Sequence, residues 1–166
     1  MSVAIVMYHY VRPIAGSDHP GVKGREVHEF AGQLAWIRRH RTPVEMEDVV
    51  AAWTTGAELP PDAALLTFDD GLRDHHAHVL PLLVEAGVPA AFFPPSGPLT
   101  EPHVLDVHRI QFVLAAGADP EMLAAELDER IVDRGLGDVA VLRDRYARAS
   151  RWDPAATVYV KRVLQR

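Results

Sequence analysis

The chain has 166 residues, of which 48% are hydrophobic and 24% are charged, with a formal net charge of −6; this composition is typical of one globular domain. It contains no cysteine, which excludes disulfides and thiolate ligands to a metal. The charge is uneven, because residues 1–129 carry 8 Lys/Arg against 19 Asp/Glu (net −11) while residues 130–166 carry 9 against 4 (net +5). This split predicts a basic terminal region that folds back on an acidic body or meets a partner, and it is too mild to indicate nucleic-acid binding.

The N-terminal sequence indicates no export signal. Residues 1–7 contain no basic residue, and their apolar run is shorter than that of a signal peptide. No apolar stretch of the chain approaches the length of about 20 residues that a membrane-spanning helix needs. We therefore expect a cytoplasmic protein without a membrane span.

The first hundred residues predict an alternation of strands and helices. Short apolar runs indicate buried strands at 3–8, 64–68 and 88–93, with a short strand or turn at 41–44. Apolar residues at helical spacing, such as Phe30, Leu34 and Ile37, predict helices at 27–40, 45–53 and 75–86. Residues 64–93 therefore have the order and the length of a βαβ crossover.

From residue 104 onward the pattern changes to helices alone, predicted at 104–116, 120–133, 138–149 and 154–165. About four strands are few for a closed barrel or a large parallel sheet. The last helix reaches Arg166 with no cap after it. We therefore expect one incomplete α/β domain over residues 1–166, with a βα core at 1–98, a helical region at 99–166, and further sequence beyond Arg166.

An acidic turn ends the strand at 64–68, where residues 65–71 read L-L-T-F-D-D-G. A parallel strand of this kind delivers Asp69 and Asp70 to the edge of the sheet at which α/β proteins bind their ligands. Two neighbouring carboxylates are costly there unless a positive charge lies between them, and a divalent metal with an activated water is the simplest candidate. The alternative is an acidic turn that caps the next helix, although a cap needs only one Asp.

The acidic turn also carries a family resemblance. T-F-D-D-G at 67–71, followed by a helix and by A-A-F-F at 90–93, resembles the first motif of the polysaccharide deacetylase family, the NodB-homology domain. The opening M-Y-H-Y-V at 7–11 is similar to the start of one branch of that family. The matches cover roughly residues 3–98, and they imply a partial, irregular (β/α) barrel with a helical C-terminal half.

The resemblance implies a metal-dependent hydrolase that removes acetyl groups from an N-acetylated sugar or glycan. By analogy with the family, Asp69 is the general base, and Asp70 is a ligand of a divalent metal, usually zinc. His9 follows the first strand and is expected at the same edge as Asp69, so we include it among the candidate catalytic residues. The alternative for His9 is a hydrogen-bonded residue at the edge of the core.

The histidines depart from the family pattern. The second family motif, H-[ST]-x-x-H, supplies two imidazoles one helical turn apart, but no two histidines of this chain are four residues apart. His103 and His108 are five apart, cannot share a helical face, and are predicted to be structural. A helical turn exposed to solvent is expected to hold three more, of which the first can approach the acidic pair: His75, His76 and His78.

A helical insertion separates the first and second motifs in some family members with a similar opening, and the helices at 104–165 fit such an insertion. The missing histidine pair would then lie beyond Arg166. On this interpretation the zinc site is incomplete in this chain, and we expect a chain of this length to be inactive alone. One carboxylate without an imidazole would hold a metal only weakly.

Three other interpretations compete with a deacetylase. A phosphoryl-transfer enzyme of the haloacid dehalogenase type needs D-x-D-G, but adjacent carboxylates on a strand point to opposite faces, so this interpretation is poor. A non-catalytic remnant or interaction module of the same fold would bind no zinc and turn over no substrate. A third possibility is that two copies of the chain, as a homo-oligomer, or this chain and a partner chain complete each other's site, and the activity would then depend on concentration.

Overall fold

The computed structural model describes residues 2–101 and 103–165. The chain divides into two compact units, one formed by Met1–Gly16 and Lys23–Glu101 and the other by Ser17–Val22 and Pro102–Arg166. The first unit is mixed α/β, and the second is helical. Among the described residues, every helix is too short or too polar to cross a lipid bilayer.

The first unit alternates strands and helices as the sequence predicts. Its strands are β1 (Ala4–Tyr8), β2 (Thr42–Pro43), β3 (Ala63–Asp69) and β4 (Ala91–Phe93). Its helices are α1 (Val27–His40), α2 (Met46–Thr55), α3 (Leu80–Ala86) and α4 (Gly97–Thr100), with a π-helical segment (His75–Val79) that leads into α3. Helix α1 has the predicted bounds, and Gly87 ends α3 with φ 63°, as the left-handed residue after a helix commonly is.

Strand β3 is the centre of a parallel sheet. Strand β1 pairs with it along its full length, from Ala4 opposite Ala64 to Tyr8 opposite Phe68. Strand β2 pairs with the start of β3, and β4 pairs with its end, where Asp69 lies opposite Phe93. Because these strands are parallel, their carboxyl ends meet at one edge of the sheet.

One face of this sheet carries the larger part of the core. The rings of Tyr8 and Phe68 stack at 5.2 Å between centroids, and Phe30 of α1 meets both edge-on at 5.2 and 5.8 Å. Leu34 and Ile37 of α1 are buried in the same cluster. The apolar residues whose spacing predicts α1 are therefore the residues that α1 packs against the sheet. Burial of each such side chain stabilises the fold by about 1.5–3 kcal/mol.

The prediction that the first and last strands are buried is wrong. In β1, Ile5 and Met7 are 59% and 58% exposed, and in β4 Phe92 and Phe93 are 39% and 46% exposed. Only β3 is buried along nearly its whole length, because a second, smaller cluster covers only the start of the other face. The predicted barrel is not confirmed, since the strands of the described residues pair only through β3.

The second unit is a group of helices close to those predicted: α5 (Asp106–Ala115), α6 (Pro120–Asp133), α7 (Val139–Tyr146) and α8 (Ala155–Leu164). Asp119 and Asp138 cap α6 and α7 through their carboxylates. Tyr159 of α8 is fully buried in the core of the unit. His19 belongs to this unit, and its ring contacts Phe112 at 4.7 Å between centroids.

The basic residues after position 129 find acidic partners inside the helical unit. Arg143 Nε donates to Asp128 Oδ2 at 2.9 Å, and Lys161 Nζ lies 2.9 Å from Asp153 Oδ2. Arg130 pairs with Glu126 one helical turn earlier at 2.8 Å. Of these three pairs, only Arg143 with Asp128 joins two helices, α7 and α6. The expectation that the basic region folds back on the acidic body or meets a partner stays a prediction.

Candidate functional site

The candidate site lies at the carboxyl edge of the parallel sheet. The pairing of Tyr8 with Phe68 sets the next residues, His9 and Asp69, at the same level of the sheet. Asp70 follows one residue later, in the turn that leaves β3. The register therefore brings His9 close to two adjacent carboxylates that follow it by 60 and 61 positions in the sequence.

His9 and Asp70 form the closest polar contact of the site. His9 Nδ1 lies 2.8 Å from Asp70 Oδ2, and the side chains are 44% and 22% exposed. An ionised carboxylate can only accept a hydrogen bond, so Nδ1 carries the proton and donates it to this bond. The other ring nitrogen, Nε2, makes no hydrogen bond within residues 2–101 and 103–165. Asp70 thus fixes the orientation and the tautomer of the imidazole.

The backbone of the acidic turn is strained in a way that explains its glycine. Asp70 and Gly71 have φ of 71° and 59°, in the left-handed region that Asp tolerates better than most residues and glycine adopts freely. A Cβ added to Gly71 would lie 2.7 Å from Pro94 Cβ. The loop after β4 therefore packs directly against the turn, and a side chain at position 71 has no room.

Asp69 differs from its neighbour. It is the last residue of β3 and is partly buried, yet its carboxylate makes no hydrogen bond or ion pair with any other part of the chain that the structure describes. Both of its oxygens therefore remain able to accept a proton or to contact a ligand. The sequence places the two aspartates side by side, but it does not show that only one of them has a partner.

Two residues missed by the sequence analysis surround the turn. Tyr10 is 8% exposed, and burial together with the charge of Asp70 raises the pKa of its phenol to about 12. The phenol is therefore protonated at neutral pH. Asp74 pairs with Arg12, whose Nη1 lies 3.6 Å from Asp74 Oδ2. Tyr10 lies inside the opening M-Y-H-Y-V, but that opening assigns it no role, and no motif includes Arg12.

His75 does not lie in a solvated turn, so that prediction is wrong. It is 4% exposed, and its Nε2 lies 2.6 Å from the backbone oxygen of His9. The π-helical segment turns its side chain inward, while the neighbouring His76 is exposed. In the helical unit His108 is buried and His103 is exposed.

The described residues do not fit a complete metal site. Residues 2–101 and 103–165 contain no group of three or more His, Cys, Asp or Glu side chains able to hold an ion, whereas catalytic zinc has three protein ligands. The 2.8 Å between His9 Nδ1 and Asp70 Oδ2 is a hydrogen bond. Two ligands of one tetrahedral zinc, each at about 2.0–2.1 Å, would be about 3.3 Å apart.

Comparisons with known proteins agree with the motif. Residues 56–136 match the family model described as Polysaccharide deacetylase. A structure of the Streptococcus pyogenes deacetylase PplD in complex with acetate has a TM-score of 0.54 at 15% identity, over 98% of this chain and 80% of that one. This similarity shows a shared fold.

Two further structures match a smaller part of the chain. A de-N-acetylase from Aggregatibacter actinomycetemcomitans has a TM-score of 0.49 at 22% identity, over 60% of this chain and 40% of that one. IcaB from Ammonifex degensii has a TM-score of 0.48 at 25% identity, over 59% and 42%. This chain therefore spans about two fifths of the length of these two proteins. No curated protein matches its sequence significantly.

Proposed function

We propose that this chain, whose residues 56–136 match the family model described as Polysaccharide deacetylase, contributes the acidic turn of a metal-dependent hydrolase that removes acetyl groups from an N-acetylated sugar or glycan. The family match at 56–136 includes the whole T-F-D-D-G motif. The observation that carries the proposal is the unequal state of the two aspartates. Asp70 is bound by His9, whereas Asp69 has no partner among the described side chains.

Asp69 is proposed as the general base. In amide hydrolysis the oxygen of water bonds to the acetyl carbon, the bond from that carbon to nitrogen breaks, acetate leaves, and the sugar amine takes up a proton. A carboxylate with uncommitted oxygens at the ligand-binding edge is suited to accept the proton of the attacking water. General-base catalysis of this kind contributes about 10²–10⁴-fold to the rate.

His9 is proposed as the second catalytic group. Its Nδ1 proton is engaged by Asp70, so Nε2 carries the lone pair and can exchange a proton with the substrate at the same edge. This arrangement, a carboxylate that orients an imidazole, is one that hydrolases use to fix a working tautomer. The side chain of His9 is 44% exposed and is therefore accessible to a substrate.

Asp70 is proposed as one ligand of a divalent metal, most simply zinc, by its resemblance to the family motif. The described residues supply too few donors to complete that site, so the remaining ligands would have to come from elsewhere. For this reason we also propose that the chain has little activity alone. The same shortage supports the second candidate function, a non-catalytic remnant or interaction module.

The experiment supplies the missing donors in solution. The full chain is incubated with a soluble N-acetylated oligosaccharide, zinc and imidazole, and released acetate is measured. We expect acetate release that needs zinc and is lost in Asp69→Asn. The control is Glu58→Gln, an exposed carboxylate before the start of β3, which should behave as the unaltered chain.

Each outcome separates the candidates. Acetate release that Asp69→Asn abolishes supports the hydrolase, and release that rises with the square of protein concentration supports completion of the site by a second copy. Equal acetate release from Asp69→Asn and Glu58→Gln, or none from the unaltered chain, contradicts the hydrolase and favours the remnant. Zinc binding measured by calorimetry should weaken in Asp70→Asn and stay unchanged in Glu58→Gln.

A further inference from the structure

His75 links the two strand ends that form the site. It lies in the π-helical segment His75–Val79, four residues after the glycine of the acidic turn, and its Nε2 contacts the backbone oxygen of His9 at 2.6 Å. The two residues are 66 positions apart. Single π-helical turns are frequent at functional sites, and this one places a buried ring between the turn after β3 and the end of β1.

The surroundings of His75 determine its tautomer. A backbone carbonyl can only accept a hydrogen bond, so Nε2 must carry the proton. Nδ1 is buried and has no hydrogen-bond partner among the described residues, which a bare lone pair tolerates better than an N–H group would. The ring also packs edge-on against Phe68 at 5.4 Å between centroids and lies 6.0 Å from the ring of Phe92.

The hydrogen bond from His75 acts on the backbone of His9. A donor fixed by two aromatic rings holds the His9 carbonyl, and with it the direction in which the His9 side chain leaves β1. That side chain has to reach Asp70 Oδ2 to form the 2.8 Å hydrogen bond. Because the His9 side chain is 44% exposed, the direction in which it leaves the backbone has a large part in whether it meets Asp70.

We propose that His75 is a positioning residue, whose hydrogen bond to the backbone oxygen of His9 holds the His9 imidazole against Asp70. The inference rests on the proposed function only for the catalytic importance of that contact. The contact itself can be measured without substrate. His75 touches neither the substrate nor the reacting atoms and acts only through His9.

The test uses NMR of the full chain labelled with ¹⁵N in its histidine rings, with the His9 resonances assigned through their loss in His9→Gln. In the otherwise unaltered chain, Asp70→Asn should shift the ring nitrogens of His9. In a His75→Phe background, which keeps an aromatic ring but removes the donor, that shift should be lost. His75→Gln retains an N–H donor and should restore at least part of the His9 shift that Asp70→Asn causes. His76→Phe, the same change at the exposed neighbour, should leave that shift intact.

A second measurement needs no substitution at position 75. The Nε2 proton of His75 should be visible in the unaltered chain and exchange slowly with solvent, because the ring is 4% exposed and hydrogen-bonded. Fast exchange of this proton would overturn the proposal. A His75→Phe variant that melts at a lower temperature yet keeps the coupling of His9 to Asp70 would also overturn it, since His75 would then serve packing alone.

Activity separates this inference from the proposed function. In the acetate-release assay, His75→Phe should lower kcat at least about tenfold, as misplacement of a catalytic group does, and His75→Gln should recover part of it. If the NMR coupling depends on His75 but the unaltered chain releases no acetate, the proposed function fails and the positioning role stands. If acetate is released at an equal rate by His75→Phe, the positioning role fails and the proposed function stands.

Discussion

Asp69, at the end of β3, and Asp128, in α6 of the helical unit, use the same side chain in opposite ways. Asp128 accepts hydrogen bonds from Nε and Nη2 of Arg143 and from the hydroxyl of Tyr159, and the Arg143 guanidinium lies 4.4 Å from the centroid of the Tyr159 ring. Asp69 accepts none from the described residues. A carboxylate whose oxygens are occupied stabilises its unit, whereas one left open is available for chemistry.

The partners of Asp128 change the titration of the groups around it. Its hydrogen bond is the largest cause of the raised pKa of Arg143. The pKa of Tyr159 rises to about 12, first because the phenol is buried and then because its hydroxyl donates a hydrogen bond to Asp128. Arg143 and Tyr159 therefore both stay protonated across the neutral range, and neither is suited to exchange protons with a substrate.

The largest expected effect comes from removing the open carboxylate. In the zinc and imidazole assay, Asp69→Asn should lower the rate of acetate release by about 10²–10⁴-fold, the usual contribution of a general base. Its melting temperature should stay close to that of the unaltered chain, because Asp69 has no hydrogen bond to lose among the described residues. A clear loss of stability would place Asp69 in the same structural class as Asp128.

The next largest effect is the loss of stability when Gly71, in the turn that follows Asp69, is replaced. Gly71→Ala should lower the free energy of unfolding by about 3 kcal/mol, because the left-handed φ of 59° and the 2.7 Å approach to Pro94 both penalise a Cβ. Gly32→Ala in α1 is the matched control. Its Cβ would meet nothing within 4 Å, so it should stabilise the helix by about 0.5–1 kcal/mol. Equal denaturation curves for the two variants would contradict the strained turn.

Substitution of Asp128 should lower stability, whereas substitution of Asp69 should not. Asp128→Ala should cost about 2 kcal/mol in unfolding free energy, because it removes hydrogen bonds to a charged group and leaves Arg143 without its partner. Asp144→Ala removes only an exposed pair at 4.0 Å and should change stability little. Urea denaturation of both variants checks this. Equal losses of unfolding free energy in Asp128→Ala and Asp144→Ala would contradict a structural role for Asp128.

The smallest effect is a change in titration at the acidic turn. Burial is the larger cause of the raised pKa of Tyr10 and the charge of Asp70 is the next, so Asp70→Asn should lower that pKa while leaving it above 10.0. Since the folded-state pKa exceeds the unfolded one, the associated stability is complete below pH 10 and is lost as the pH rises towards about 12. Phenolate absorbance, compared with Tyr10→Phe, reports the change, and an unaltered pKa would contradict it.

The sequence predicts most of the fold because the fold follows local periodicity. Apolar spacing defines α1 to the residue and α5 to α8 closely. It misjudges the burial of β1 and β4, because an apolar run shows that a strand can be buried, whereas the neighbouring elements decide whether both faces are covered. It also misses α4, a single four-residue helix in a proline-rich loop.

The candidate site was predictable where it depends on strand ends. His9 and the two aspartates follow β1 and β3, and the parallel register brings His9 to Asp70. The role of His75 was not predictable, since its orientation depends on a π-helical turn and on a contact 66 positions away. The roles of Asp69 and Asp70 in catalysis and metal binding remain predictions, with the assay and the calorimetry above as their tests.

The parallel register of β1 and β3 also determines how many residues β1 must have before His9. Ala4 lies opposite Ala64 and Tyr8 opposite Phe68. With this register, only one number of residues in β1 places the His9 imidazole beside the Asp70 carboxylate. If β1 keeps its register, a residue inserted between Met7 and His9 would move the imidazole away from the turn. If β1 slips to keep the imidazole in place, the insertion would turn Ile5 and Met7 towards the aromatic core. Evolution or design can therefore change the side chains of this strand more freely than its number of residues.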